Sequence, residues 1–135
     1  MKVFIEAAAG SRVRGLYDEA TFKRKGSRPV LLPYPWPYGF VPGSAGVSGD
    51  GECRDCYVIT TRPLTEGGLV DCEAFGLLEM FEDGEADHKL LAAFPDEVPP
   101  PAEDLLLRLR AFITGIFAAW PETRVEINGI LPPPR

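Results

Sequence analysis

Short apolar and alternating runs, broken by turn residues, recur along this chain. Val3-Phe4-Ile5, Val30-Leu31-Leu32, Cys56-Tyr57-Val58-Ile59-Thr60, Leu69 to Met80, Leu90 to Phe94 and Val125 to Ile130 are such runs, and each predicts a strand. Between the last two the period changes. Glu103 and Asp104 follow Pro99-Pro100-Pro101 as acidic residues suited to a helix start, and Leu105, Leu109, Phe112, Ile116 and Trp120 then recur at helical spacing. One helix is predicted there. Many strands, one helix and no βαβ alternation predict a mainly β (α+β) chain, a small antiparallel barrel with the helix packed on it. Pro33-Tyr34-Pro35-Trp36-Pro37-Tyr38 is expected to be a stiff loop carrying aromatics, because each Pro lacks the N–H that a central strand needs. Leu131 to Arg135 reads as an extended or fraying tail.

Composition narrows the picture. The 135 residues suit one domain spanning 1–135. With 45% hydrophobic and 25% charged residues the chain is globular, and fourteen Pro and fourteen Gly call for many turns. A net charge of −6 argues against nucleic acid as a partner, since phosphate-backbone affinity comes from clustered Lys and Arg. No apolar run approaches the roughly eighteen residues of a membrane span, and no charged and apolar leader opens the chain. A soluble cytoplasmic protein without a membrane partner is expected. Cys53, Cys56 and Cys72 are an odd number, which favours a reducing compartment and small buried thiols. A zinc site on Cys53-Arg54-Asp55-Cys56 would have only Cys72 and His88 left to complete it.

Candidate chemistry sits in two acidic segments and one basic stretch. Asp50-Gly51-Glu52-Cys53-Arg54-Asp55 follows a Gly-rich stretch and precedes a strand run, and its three carboxylates could converge on a hard divalent cation or form a solvated turn. Glu82-Asp83-Gly84-Glu85-Ala86-Asp87-His88-Lys89 lies between two strand runs and also reads as an ordinary hairpin loop. Two such loops in one small barrel could share a metal centre. Neither segment has calcium-loop spacing, and no Gly-rich phosphate loop occurs. Any bound phosphate must therefore be held by metals and side chains, with Arg12, Arg14, Lys23, Arg24, Lys25 and Arg28 as the candidates. His88 is expected to be exposed.

Taken in order, these pieces resemble family I soluble inorganic pyrophosphatases, from Val3 to about Phe94. Glu6, Gly10-Ser11-Arg12-Val13-Arg14 and Tyr17-Asp18 match the family's opening, and Arg28 stands ten residues beyond that Asp, at the position of a substrate Arg. Tyr34-Pro35-Trp36-Pro37-Tyr38-Gly39-Phe40-Val41-Pro42 matches its aromatic segment. Asp50-Gly51-Glu52-Cys53-Arg54-Asp55 matches its Asp-x-Asp-Pro-x-Asp signature, and Gly76 to Lys89 matches its last motif without a gap.

The resemblance implies an OB-like five-stranded β-barrel with one main helix against it. It also implies Mg²⁺-dependent hydrolysis of inorganic pyrophosphate to two phosphates by metal-activated water, in a homo-oligomer. Carried across by position, Asp50, Asp55, Glu82 and Asp87 would hold metal, and Arg14, Arg28, Tyr38 and Lys89 would contact phosphate. Glu52 would orient or deprotonate the attacking water, with Glu6, Tyr34 and Asp83 in support. The departures are Glu52 and Glu82 in place of Asp, Leu16 in place of Glu, Glu73 in place of Arg, and Ile116-Phe117 in place of a Tyr-Lys pair. They keep two alternatives open: a weakly active or inactive relative that binds another phosphorylated ligand, and an OB-type nucleic-acid module using Tyr34, Trp36 and Tyr38 as stacking platforms.

Overall fold

Val3 and Ile5 are fully buried in the first strand, β1 (Lys2–Ala7), and everything that follows is built outward from it. The computed structural model describes residues 1–45 and 51–134, so Asp50 lies outside the described residues. The remaining strands are β2 (Val13–Tyr17), β3 (Arg24–Pro29), β4 (Tyr38–Phe40), β5 (Asp55–Val58), β6 (Leu69–Asp71), β7 (Glu73–Glu82), β8 (Glu85–Ala86), β9 (Lys89–Ala93) and β10 (Val125–Leu131). One helix, α1 (Ala102–Phe117), precedes β10.

Five of these segments make the barrel. β1 pairs antiparallel with β4, β4 with β5, β5 runs parallel to β9, and β9 pairs antiparallel with β7. Only Cys72 separates β7 from β6, which pairs back onto β1, and the Cys72 N–H donates to the Met1 carbonyl at 2.9 Å. The pairings run from β6 through β1, β4, β5 and β9 to β7, and the chain itself joins β6 to β7 at Cys72, an OB-like arrangement. The β5–β9 pair departs from the antiparallel expectation. Parallel neighbours need a long crossover, and here residues 59 to 88, carrying β6, β7 and β8, supply it.

Tyr38 enters β4 directly after the prolines. Pro37 lacks an N–H but its carbonyl accepts from Val58 at 2.9 Å, so the stiff loop ends where donors are first needed. Gly39 is required for this approach: a Cβ there would stand 1.7 Å from the Phe4 carbonyl oxygen and force β1 and β4 apart.

Two further features differ from what the sequence predicts. β2 and β3 form a mostly exposed two-stranded ribbon of their own, whereas Val30-Leu31-Leu32, expected as a strand, is the connection that leaves β3. Helix α1 stops at Phe117 rather than reaching Trp120, because Pro121 disfavours helical geometry at the residue before it. Leu105, Leu109, Phe112 and Ile113 form the buried face of α1 and pack with Tyr34, Trp36, Tyr38 and Leu78. Each fully buried apolar side chain contributes roughly 1.5–3 kcal/mol. Truncating the fully buried Leu109 to Ala should cost about 2–5 kcal/mol, read as a lowered urea midpoint. Cys53, Cys56 and Cys72 are free and buried, as expected of small apolar residues.

Candidate active site

β5 and β9 position the centre of the site. Their parallel register sets Asp55 beside Lys89, strand alternation turns Asp55 and Tyr57 to one face, and Asp87 lies in the short link between β8 and β9. Lys89, a residue only 8% exposed, donates from its ammonium to Asp55 Oδ2 at 2.6 Å and to Asp87 Oδ1 at 3.0 Å. Burial acts to strip its proton, but Asp55 and then Asp87 outweigh it and hold the pKa above its ordinary value.

Tyr38 lies beneath two cations. The Arg14 guanidinium carbon is 5.1 Å from its ring centroid and Lys89 Nζ is 5.9 Å away, so the electron-rich face meets both. Burial, followed by the field of Asp55, pushes the phenol well above its usual range and keeps it neutral. Tyr57 and Tyr34 pack on either side with ring centroids 4.7 and 5.6 Å from that of Tyr38.

The basic wall is the β2–β3 ribbon. Arg14 and Arg28 are direct cross-strand partners, so two like charges face each other across one pair, an arrangement that is destabilising by itself. Arg14 donates from Nη2 to Glu6 Oε1 at 3.0 Å. Glu6 is 4% exposed, and burial raises its pKa despite the opposing pull of Arg14. Arg14 Nε is buried with no acceptor among the described residues. A cationic pair and an orphaned guanidinium N–H both call for an anion.

The second acidic segment folds as the hairpin its Asp83-Gly84 pair predicts, with φ of 51° and 81° at the two turn residues. Glu82 ends β7, and burial, then Asp87, raises its carboxyl pKa. Asp83 is placed differently: its Oδ1 accepts from the Arg124 N–H at 2.9 Å, which commits it to the turn. His88 is half-buried rather than exposed, because its Nδ1 accepts from the Met80 N–H at 3.1 Å and its ring stands edge-on to Phe81.

One cavity of about 670 Å³ collects these groups: Arg14, Arg28, Tyr34, Tyr38, Glu52, Asp55, Glu82, Asp87 and Lys89 all line it. Glu52 is exposed at its edge, and the chain just beyond it is tied down by Cys53 N–H to Glu19 Oε1 at 3.0 Å and Arg54 N–H to Ser44 Oγ at 2.8 Å. Glu6 supports Arg14 from behind. Of the other early cations, Arg24 is held by Glu66 at 2.9 Å. Tyr57, Met80 and the helix residues Ile113, Ile116 and Phe117 also line the cavity and were not read as site residues. For Tyr57 the signal was present, two residues from Asp55 on the same strand face.

A family model for inorganic pyrophosphatase matches residues 3–103. The chain belongs to the inorganic pyrophosphatase family. A relative described as inorganic pyrophosphatase, from Halalkalibacterium halodurans, is 34% identical over 101 residues, covering 73% of this chain and 60% of that protein. The soluble inorganic pyrophosphatase of Zea mays is 32% identical over 97 residues, covering 70% of this chain and 44% of that one. The chain spans about 60% of the length of the first relatives it matches. The solved inorganic pyrophosphatase of Thermus thermophilus aligns with a TM-score of 0.82 at 25% identity, over 98% of this chain and 82% of that chain. That of Coxiella burnetii shares the fold, with a TM-score of 0.84 at 24% identity over 98% and 85%.

For a pyrophosphatase-family site the question is whether the carboxylates suit a divalent cation. Among the described residues no three Asp, Glu, His or Cys side chains converge tightly enough to form a closed metal site. Magnesium does not need one: it keeps several waters and takes one or two carboxylates plus substrate phosphates. Asp55 and Asp87 already share one cation, the Lys89 ammonium, so the oxygen donor set fits. Among the described residues no helix is long and apolar enough to cross a membrane.

Proposed function

We propose that this chain hydrolyses inorganic pyrophosphate to two phosphates with magnesium. The observation that carries this reading is that the Arg14–Arg28 cross-strand pair and the carboxylates of Asp55, Glu82 and Asp87 line one and the same cavity. A phosphoanhydride satisfies both sides, offering oxygens to the guanidinium groups and to carboxylate-held cations. Asp55, Glu82 and Asp87 would hold the metal, with Asp50 as a fourth ligand from outside the described residues. The chemistry such an ion supplies when bound is neutralisation of phosphate charge and acidification of a coordinated water.

The remaining tasks fall to the chain itself. Arg14 and Arg28 bind phosphate oxygens bidentately and stabilise charge that builds on the leaving phosphate. Lys89 fixes Asp55 and Asp87 in place and adds a point charge. Glu52 takes a proton from the attacking water, whose oxygen bonds to one phosphorus while the bridging P–O bond breaks. No covalent enzyme intermediate forms.

Phosphate release from pyrophosphate, with and without Mg²⁺ and against a panel of nucleotides and polyphosphate, tests the proposal. Mg²⁺-dependent release from pyrophosphate is expected. A folded protein that releases none at any Mg²⁺ concentration would refute it.

A further inference from the structure

The charged groups occupy only part of the cavity. The rest of its wall includes Val30, Leu31, Ile113, Ile116, Phe117 and Trp120, none of which carries a charge, the Trp120 indole N–H being their one side-chain donor. Leu31 is 51% exposed and Trp120 42% exposed, and Trp120 meets Phe117 edge to face with centroids 5.9 Å apart. Pyrophosphate has nine heavy atoms, which at the ~30 Å³ a water claims in the liquid fill on the order of 270 Å³. The cavity is about 670 Å³. Inorganic pyrophosphate and its hydrated cation satisfy the carboxylates and guanidiniums, yet neither has an apolar group to cover this aromatic and aliphatic wall.

Resting on the reading that the site takes a phosphoanhydride, we propose that its preferred substrates are diphosphate monoesters, in which an apolar group on one phosphate lies against Ile116, Phe117 and Trp120. The diphosphate end sits among Arg14, Arg28, Lys89 and the carboxylates. Continuity of the two halves within one cavity selects a ligand that is charged at one end and apolar at the other. Turnover balances as for pyrophosphate: the water oxygen bonds to the terminal phosphorus and the P–O–P bridge breaks toward the inner phosphate. The alkyl monophosphate leaves with that electron pair, and the water's proton passes to Glu52.

The test is calorimetric binding of hydrolysis-resistant probes in Mg²⁺: methylenediphosphonate, its methyl monoester and its n-hexyl monoester. A buried methylene is worth about fourfold in affinity, so the hexyl ester, even partly covered, should bind at least roughly tenfold tighter than the methyl ester. Replacing Ile116 and Trp120 together by Ser should cut that preference to under about threefold. Equal binding of the two esters beside normal binding of methylenediphosphonate overturns the inference while leaving the pyrophosphatase reading intact. So does a preference that the double variant keeps. No binding of any probe refutes the phosphoanhydride site itself, and with it this proposal. Sedimentation gives a further arm: an oligomer that dissociates when Trp120 is replaced by Ser would assign the wall to a second copy of the chain and overturn the inference.

Discussion

Lys89→Met isolates the charge that holds the two carboxylates together. The methionine keeps most of the side-chain volume but deletes an ammonium that sits 2.6 Å from Asp55 and 3.0 Å from Asp87. At an effective dielectric near 20, a pair of charges at such range attracts by about 6 kcal/mol, and desolvation of the lysine offsets most of it. Breaking a buried pair from one side typically costs about 3–5 kcal/mol. Asp55 and Asp87 are 23% and 30% exposed, so they regain some water in the variant. The expected net loss is therefore about 2 kcal/mol.

Urea unfolding in EDTA, followed by tryptophan fluorescence, reads this directly as a midpoint lowered by roughly 1 M. Magnesium should then return much of the loss, because the freed carboxylates bind the ion without competing with an ammonium, and a ligand at a hundred times its Kd adds about 2.7 kcal/mol. The wild-type protein should gain less. The pH dependence has a definite sign. The folded pKa of Lys89 is raised above 10.5, so its contribution is fully present below that value and is lost as pH rises through the higher folded one. The gap between wild type and variant should thus be constant from neutral pH to about 9 and shrink beyond the lysine range. Equal midpoints in EDTA, or equal gains from Mg²⁺, would show that the Asp55–Lys89–Asp87 arrangement is an ordinary surface ion pair.

Asp55→Asn should abolish calorimetric Mg²⁺ binding and pyrophosphate hydrolysis together, since the neutral amide gives up the charge that attracts the ion; unchanged metal affinity would remove Asp55 from the site. Glu52→Gln should lower kcat by about 10²–10⁴ with folding intact, because the amide accepts no proton, and normal turnover in a phosphate-release assay would exclude Glu52 as the base. Burial pushes the Cys72 thiol up to about 11 and the Cys56 thiol well above its ordinary value, so at pH 8 neither should react quickly with a disulfide reagent until urea unfolds the chain. A fast native phase consuming two or more thiols contradicts that burial.

What could be read from the sequence divides along physical lines. Most barrel strands and α1 were legible through apolar runs or a matching period, as in the alternation of β7 and the Leu105, Leu109, Phe112 stripe, whereas the three-residue β4 was hidden because Tyr38 read as the end of the proline loop. The β2–β3 ribbon was not, since Arg24-Lys25-Gly26-Ser27-Arg28-Pro29 buries no face and has no hydrophobic period to detect. The conspicuous apolar run Val30-Leu31-Leu32 misled for the opposite reason: its side chains serve the cavity wall and α1 rather than a sheet face. The charged half of the site was legible through motif spacing, and spacing works there because register converts it into geometry. Asp55 and Lys89 lie far apart in sequence but adjacent across the β5–β9 pair, and Arg14 opposes Arg28 only because the ribbon is in register. The apolar half had no such code. Ile116 and Trp120 read as core stripe in a helical period that carries no mark of where the core ends, Phe117 stood out only as half of the departure from a Tyr-Lys pair, and Ile113 carried no signal. The last turn of α1 packs on the edge of the core and also borders the cavity, so residues spelled as packing double as lining. The same logic says which substitutions separate the two halves: those on the carboxylates should alter metal and phosphate binding, and those on the last turn of α1 should alter what else the phosphate can carry.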